Sequence, residues 1–292
     1  MAASRRRSSE KTPGYGACVE RGGRARGVAT CGRRVREQLP HCLAPALGVL
    51  LAGVCGGPRQ ITLAGSEVTS LLQPDRAIVC PGTAQYPRNS EGDIAVLKDG
   101  RLFLAWTRFY GGSEDDAAAE VAGRLSEDKG ATWGEPFVVQ PNDAGKNVMS
   151  VSLLRAGNGD LLLFYLRKNS SSDLKVAVRR SSDEARTWGG ETVVTPEAGY
   201  HVMNNARVIR LRSGRLLAPV AHSVECWSGR EHYRSVCYLS DDDGLTWRRG
   251  TGEADVEKRG AMEPGLVELR DGRILMIIRT QLGTIHCSYS SD

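Results

Sequence analysis

The chain has no pair of cysteines at C-x-x-C spacing, and its five histidines are scattered. That excludes a zinc site of the usual thiolate and imidazole spacing. No stretch of useful length follows a helical period, so a helix bundle and a helix-covered parallel sheet are both excluded. No apolar run reaches the ~20 residues that a membrane-spanning helix needs. Nothing marks a calcium loop or a cofactor motif, so no metal or organic cofactor is expected. Cysteine is also sparse where it counts: of eight, only Cys80, Cys226, Cys237 and Cys287 lie beyond residue 57. Cys226 and Cys237 bracket a loop between two predicted strands, and either pair as a disulfide or remain free thiols.

The net charge of +5 suggests an anionic partner, but its distribution argues against one. Nine arginines, from Arg5 to Arg36, crowd the first 36 residues, ahead of everything that reads as folded. A nucleic-acid partner is not expected. An uncharged run from Cys42 to Gly57 follows. A basic region, a short apolar core and small residues resemble a secretory signal, with a true start nearer Val28 or Val35. A buried helix behind a basic tail is the alternative. Residues 1–57 are therefore set apart as arm and signal, and 58–292 as the folded part, secreted or periplasmic, with no stable membrane span.

What the chain does have is repetition. Ser240-Asp241-Asp242-Asp243-Gly244-Leu245-Thr246-Trp247 has a second copy at Ser126–Trp133 and a third at Ser181–Trp188, where Ala185 replaces the glycine. Short Asp and Ser side chains bond nearby backbone N–H groups, and Gly supplies a positive φ. The octet is thus a hairpin turn, and Ala185 should strain it by roughly 1 kcal/mol. The chain ends at Ser290-Ser291-Asp292, the first three residues of a fourth copy.

A second turn recurs between apolar runs, with its glycine at 100, 159, 214 and 272. Asp-Gly and Asn-Gly between such runs signal hairpins. A third strand precedes each octet and a fourth follows it, as at Phe137–Gln140. Ile61 to Leu72 reads as a further strand. Four antiparallel strands in each period of fifty-odd residues make a β-propeller blade, so the fold class is all-β.

The octets resemble the Asp-boxes of the sialidase (neuraminidase) superfamily. The resemblance covers Arg88 to Asp292, about four blades, and implies a six-bladed propeller. It implies that this sequence is a piece of a longer one, whose further blades hold a third arginine and a Tyr nucleophile. Meander topology brings the starts of the first strands and the ends of the second strands to one mouth. Nine residues before the turn glycines stand Glu91, Ser150, Asn205 and Glu263; seven before them stand Asp93, Ser152, Arg207 and Gly265. Near the second-strand ends lie Arg108, Arg167, His222 and Arg279.

Such a mouth suits an anionic sugar, because guanidinium binds carboxylate through two parallel hydrogen bonds. The resemblance assigns Glu263, in Met262-Glu263-Pro264, as the partner of the nucleophile, and Arg279 as the second of three carboxylate-binding arginines. Arg88 is the candidate for the first, although Tyr86-Pro87-Arg88-Asn89 departs from the family's Arg-Ile-Pro. Asp115, with Asp116 beside it, is the candidate acid/base in the loop after the second strand. Arg207, Asn205, Arg108 and Arg167 are candidate substrate contacts. The resemblance implies a retaining exo-alpha-sialidase acting on sialylated glycans. The competing readings are a non-catalytic carbohydrate-binding propeller and a structural one that presents a protein-binding face.

Overall fold

The computed structural model describes residues 78–291. The basic arm, the signal and the strand expected over Ile61–Leu72 lie outside the described residues. All regular structure in the described residues is β, and no helix occurs among them.

The chain runs as four successive antiparallel meanders. The first is β1 (Arg88–Val96), β2 (Leu102–Phe109), β3 (Ala119–Ser126) and β4 (Phe137–Gln140). The second is β5 (Asn147–Arg155), β6 (Leu161–Lys168), β7 (Asp173–Ser181) and β8 (Thr192–Val193). In the third, β9 (Gly199–Val202) and β10 (Ile209–Arg210) both pair with β11 (Leu216–Ser223), followed by β12 (Arg234–Ser240) and β13 (Arg248–Ala254). The fourth has β14 (Met262–Glu268), β15 (Ile274–Arg279) and β16 (His286–Ser290). A short parallel pairing of β7 with β9 joins the second and third meanders into one nine-stranded sheet. The strand expected before the Gly214 turn is thus split: residues 203–208 leave the ladder, and only Ile209–Arg210 rejoin it.

The four Gly turns share one geometry. Gly100 N–H donates to Leu97 O, Leu97 N–H donates to Arg101 O, and Gly100 takes φ 87°. The same pair of bonds recurs at Ala156–Asp160, Leu211–Arg215 and Leu269–Arg273. This is a type I turn closed by a left-handed glycine. The octets use another device. Asp243 and Gly244 have φ 58° and 86°, and Lys129 with Gly130 and Glu184 with Ala185 do likewise. Two successive positive φ angles match the right-handed twist of a hairpin. The octet Asp accepts from Thr N–H and hydroxyl, at 2.9 and 2.5 Å for Asp242 and Thr246. The octet Ser accepts from the glycine N–H, at 2.8 Å in Ser240–Gly244.

In the octets that end at Trp133 and Trp247 the indole donates to the glycine carbonyl. In the copy with Ala185 the buried Trp188 indole nitrogen has no partner. Two of the octet tryptophans cross to the preceding meander as the chain advances: Trp188 packs on Phe103 at 6.1 Å and Trp247 on Phe164 at 5.6 Å. Two apolar clusters fill the gaps between adjacent meanders, one around Phe103, Leu163 and Tyr165, the other around Phe164, Leu216 and Tyr238. Burying each such side chain contributes about 1.5–3 kcal/mol.

Gly244→Ala should lower stability by about 1–2 kcal/mol. An added Cβ would sit in the left-handed region and 3.1 Å from Leu162 Cδ1. The reverse change, Ala185→Gly, should gain less, because the Ala185 methyl is buried in the core. Thermal denaturation of the two variants checks both signs.

The cysteine alternatives resolve as free thiols: Cys226 is buried, and Cys237 faces Pro219 across the β11–β12 ladder. Among the described residues no helix is long and apolar enough to cross a membrane.

Candidate functional site

The site begins with a defect repeated in the inner strands. β1, β5 and β14 each carry a bulge against their neighbour, at Ser90/Asp93, Met149/Ser152 and Met262/Gly265. Within each bulge one non-glycine residue is left-handed: Glu91 (φ 56°), Ser150 (58°) and Glu263 (48°). In the third meander the corresponding residue is Ala206 (53°), one position later than the spacing predicts. A side chain at positive φ costs of order 1 kcal/mol, and such strain clusters at binding and catalytic sites. Here it turns Glu91, Ser150 and Glu263 into one pocket of about 250 Å³, where Asp115 and Arg279 also arrive.

The pocket has a charged rim. Arg279 Nη1 pairs with Glu263 Oε1. Arg88 donates from Nη1 to Asp115 (2.6 Å) and to Ser113 O (3.0 Å), from Nε to Ser90, and from Nη2 to Glu91 at 3.4 Å. Its guanidinium also lies 4.4 Å over the Phe109 ring. Arg88 therefore bridges two carboxylates and has one N–H to spare. Burial raises the Glu91 carboxyl above the usual range, against the pull of Ser150, Arg88 and Thr107. Asp115 is more than half exposed and pairs with Arg88 from the loop after β2.

The inner wall is aromatic, with Tyr200, Trp227 and Tyr233 beside Cys226, Met149 and Met262. Lys168 enters from β6, only 1% exposed, and meets Asp116 at 2.5 Å and Asp115 O at 3.0 Å. Burial favours the neutral form of Asp116, but bonds from Lys146 and Lys168 outweigh it and hold the carboxyl low. Burial raises the Tyr200 hydroxyl and pushes that of Tyr233 up to about 12. Neither tyrosine is activated as a nucleophile.

The other predicted contacts do not reach the pocket. Arg108 lies on the far face of the first sheet, where Nε and Nη2 pair with Glu120 and the guanidinium covers Tyr86 at 4.3 Å. Arg167 shares Glu191 with Tyr165, on the β6 face that packs toward the first meander. Asn205 reaches across to Gly92 O, and Arg207 N–H donates to Ser152 Oγ. Both tie inner strands together, and Asn204 lines the pocket in place of Asn205.

Sequence reasoning missed Lys168, Tyr200, Trp227 and Tyr233. Lys168 had a signal, since it shares the period-2 phase of Phe164 and Leu166, whereas Arg167 shares that of Leu163 and Tyr165. Trp227 lies in a loop and had none.

A second recess, of about 660 Å³, opens at the opposite end between the turns at Gly157, Gly214 and Gly272. It is wider but is lined by turn backbone and paired charges such as Arg215–Asp241. Its one left-handed non-glycine residue, Asp243, belongs to an octet turn and accepts from Gly157 and Asn158 N–H. No group of His, Cys, Asp and Glu suited to a metal ion occurs among the described residues.

The profile of the BNR repeat-like domain matches residues 100–292. A sialidase of Micromonospora viridifaciens is 25% identical over 267 residues, covering 82% of this chain and 40% of its own length. A sialidase of Clostridium perfringens is 22% identical over 223 residues, covering 68% and 57%. The chain thus spans about half the length of these relatives, or less. Among solved structures, a Dyadobacter fermentans protein of unknown function superposes with TM-score 0.63 at 19% identity, over 74% of this chain and 68% of that one. A Trypanosoma rangeli sialidase in complex with 2,3-difluorosialic acid superposes with TM-score 0.58 at 20% identity, over 71% and 36%. Those two likenesses speak to the fold. By its repeats, its profile match and its relatives, the chain belongs to the BNR repeat-like family of the sialidase superfamily.

Proposed function

We propose that this chain carries the first four blades of a six-bladed sialidase-type propeller over 58–292, behind a basic arm and secretory signal in residues 1–57. Its pocket takes the terminal sialic acid of a glycoconjugate and serves retaining hydrolysis. The observation that carries this reading is the meeting of Asp115, Glu263 and Arg279 in one pocket, on three separate elements. In this reading Arg279 binds the sugar carboxylate. Glu263, strained out of its strand, draws the proton from the attacking group. Asp115, released from Arg88 and protonated from solvent, gives that proton to the leaving oxygen and then takes one back from the attacking water. The nucleophile is not assigned among the described residues. The chain would act outside the cytoplasm, on sialylated glycans or related anionic sugars.

A second reading, glycan binding without turnover, is favoured by one observation. The pocket cations Lys168, Arg259 and Arg279 each already hold a carboxylate. In the hydrolase reading the four blades alone are inactive, so one pair of measurements on the protein with all six blades separates the two: hydrolysis of a fluorogenic sialoside, and calorimetric binding of N-acetylneuraminic acid. The hydrolase reading expects turnover that Glu263→Gln removes while binding persists. Binding with no turnover in the wild type selects the second reading. Absence of both sinks the two together.

A further inference from the structure

The connection from β13 to β14 delivers Arg259 to the pocket and leads directly into Glu263, and it is strained. Lys258, Gly260 and Glu263 are left-handed, with φ 61°, 84° and 48°. Such a segment keeps its shape only where its surroundings impose it. Three successive residues ahead of β12 supply that hold. Glu231 pairs with Arg259 at 3.0 Å. Tyr233 N–H donates to Arg259 O at 2.9 Å, and Ala261 N–H donates to Tyr233 O at 2.8 Å. The fit is close enough that a Cβ added at Gly260 would run into Tyr233 O. His232, between them, meets the start of the segment: Nδ1 lies 2.8 Å from Lys258 O, and Nε2 lies 2.6 Å from Asp255 Oδ1.

Both of those oxygens are acceptors. A neutral imidazole has one N–H and one lone pair, so it satisfies one of them and turns its lone pair on the other. Only the imidazolium, with two N–H donors, makes both bonds. The charges around the ring agree with that form. Asp255 is the anion against it and accepts at its other oxygen from Arg234 at 3.1 Å. Glu253, on β13, lies 3.7 Å from the same Arg234 nitrogen and offsets part of that cation. The Lys258 ammonium is engaged by Gln281 O. The bonds to Lys258 O and then to Asp255 raise the ring's proton affinity, against burial and Arg234.

We infer that His232, as an imidazolium, is a positioning residue for the pocket: it fixes the segment that carries Arg259 and Glu263, and it lets that segment loosen when it gives up its proton. The folded chain holds this proton more tightly than the unfolded one, whose histidine titrates near about 6.5. The hold is therefore complete below about pH 6.5 and is lost as pH rises through the folded value. The latch stands on geometry, and only its effect on sugar binding rests on the proposed function.

The experiment has two arms. In the first, side-chain 15N NMR and amide hydrogen exchange follow the full chain at pH 6.0 and 8.5. His232 is expected to be doubly protonated at pH 6.0. After correction for intrinsic rates, the Tyr233 and Ala261 amides should exchange about tenfold faster at pH 8.5, the scale of one lost hydrogen bond to a charged group. Amides of the β2–β3 ladder should not change. His232→Gln should exchange fast at both pH values, and His232→Arg, which keeps its charge, slowly at both. A neutral His232 ring at pH 6.0, equal wild-type protection at the two pH values, or a His232→Gln segment as protected as wild type at pH 6.0 overturns the latch. The second arm measures N-acetylneuraminic acid binding to the protein with all six blades by calorimetry. Affinity should fall about tenfold from pH 6.0 to 8.5 in wild type and hold in His232→Arg. Binding that ignores pH while exchange responds overturns the positioning role. Absence of binding at both pH values strikes at the proposed function, and the exchange data still decide the latch.

Discussion

Asp116→Ala should destabilise the fold by about 3 kcal/mol. Lys168 is the reason. Its side chain is 1% exposed, and its charge is matched by Asp116, whose carboxylate also receives Lys146. With Asp116 gone, an ammonium stays in a pocket wall with only a carbonyl oxygen and an aromatic face for company. A cation in that position costs several kcal/mol, whereas an intact pair roughly breaks even against apolar side chains. The double variant Asp116→Ala with Lys168→Met should therefore recover much of the loss, giving a coupling of 1 kcal/mol or more, on the order seen for contacting residues. Urea denaturation of the two single variants and the double one tests this. A loss under about 0.5 kcal/mol for Asp116→Ala, the level of an ordinary surface change, would show that solvent already neutralises Lys168.

Acid should weaken the protein through His201. This side chain is buried, its ring stacks on His222 at 4.6 Å, and its Nδ1 lies 3.2 Å from Leu174 O. Burial, then repulsion from His222 and Lys175, holds its pKa near about 4, against an ordinary 6.5. His222 is shifted the same way by burial. Glu197 is the acidic group that pulls both back toward protonation, and Arg234 and Arg249 bear on His222. The unfolded chain takes up the proton first as pH falls. The stabilisation is thus complete above pH 6.5 and drains away between about 6.5 and 4. Linkage puts the loss on the order of 3 kcal/mol. His201→Phe should flatten that slope. Denaturant midpoints at pH 7.5 and 5.0 for wild type and variant would show it, and an equally steep fall in the variant would reassign the effect to other groups.

The fold was legible where turn chemistry is local. Asp99-Gly100 and its three counterparts close hairpins because a left-handed glycine is needed there, and the octets close because Ser and Asp reach back to their own backbone. Neither depends on the rest of the molecule. The convergence of Asp115, Glu263 and Arg279 was legible from topology, with the resemblance choosing the residues. Phase was not. A bulge inserts one residue and turns the following side chains to the other face. Counting back from Gly214 therefore reached Asn205, while the left-handed position is Ala206. The break over 203–208 put Asn204 in the pocket and gave Asn205 and Arg207 to the seams between strands. Arg88 shows another limit. Its residue type suggested a free carboxylate receptor, and only the folded chain reveals that Asp115 and Glu91 already occupy it.

The crossing of Trp188 and Trp247 to the previous meander separates two kinds of boundary. A cut between β4 and β5 respects topology, yet it strips Trp188 from Phe103 and leaves a hole in the unit that was kept. Stability in such an array resides in the seams, so it accumulates as nearest-neighbour terms. A shortened chain would lose its outermost seam first, and the unit behind it would inherit an uncovered ring. Any dissection of this protein into pieces should therefore carry one octet more than the number of meanders it means to keep.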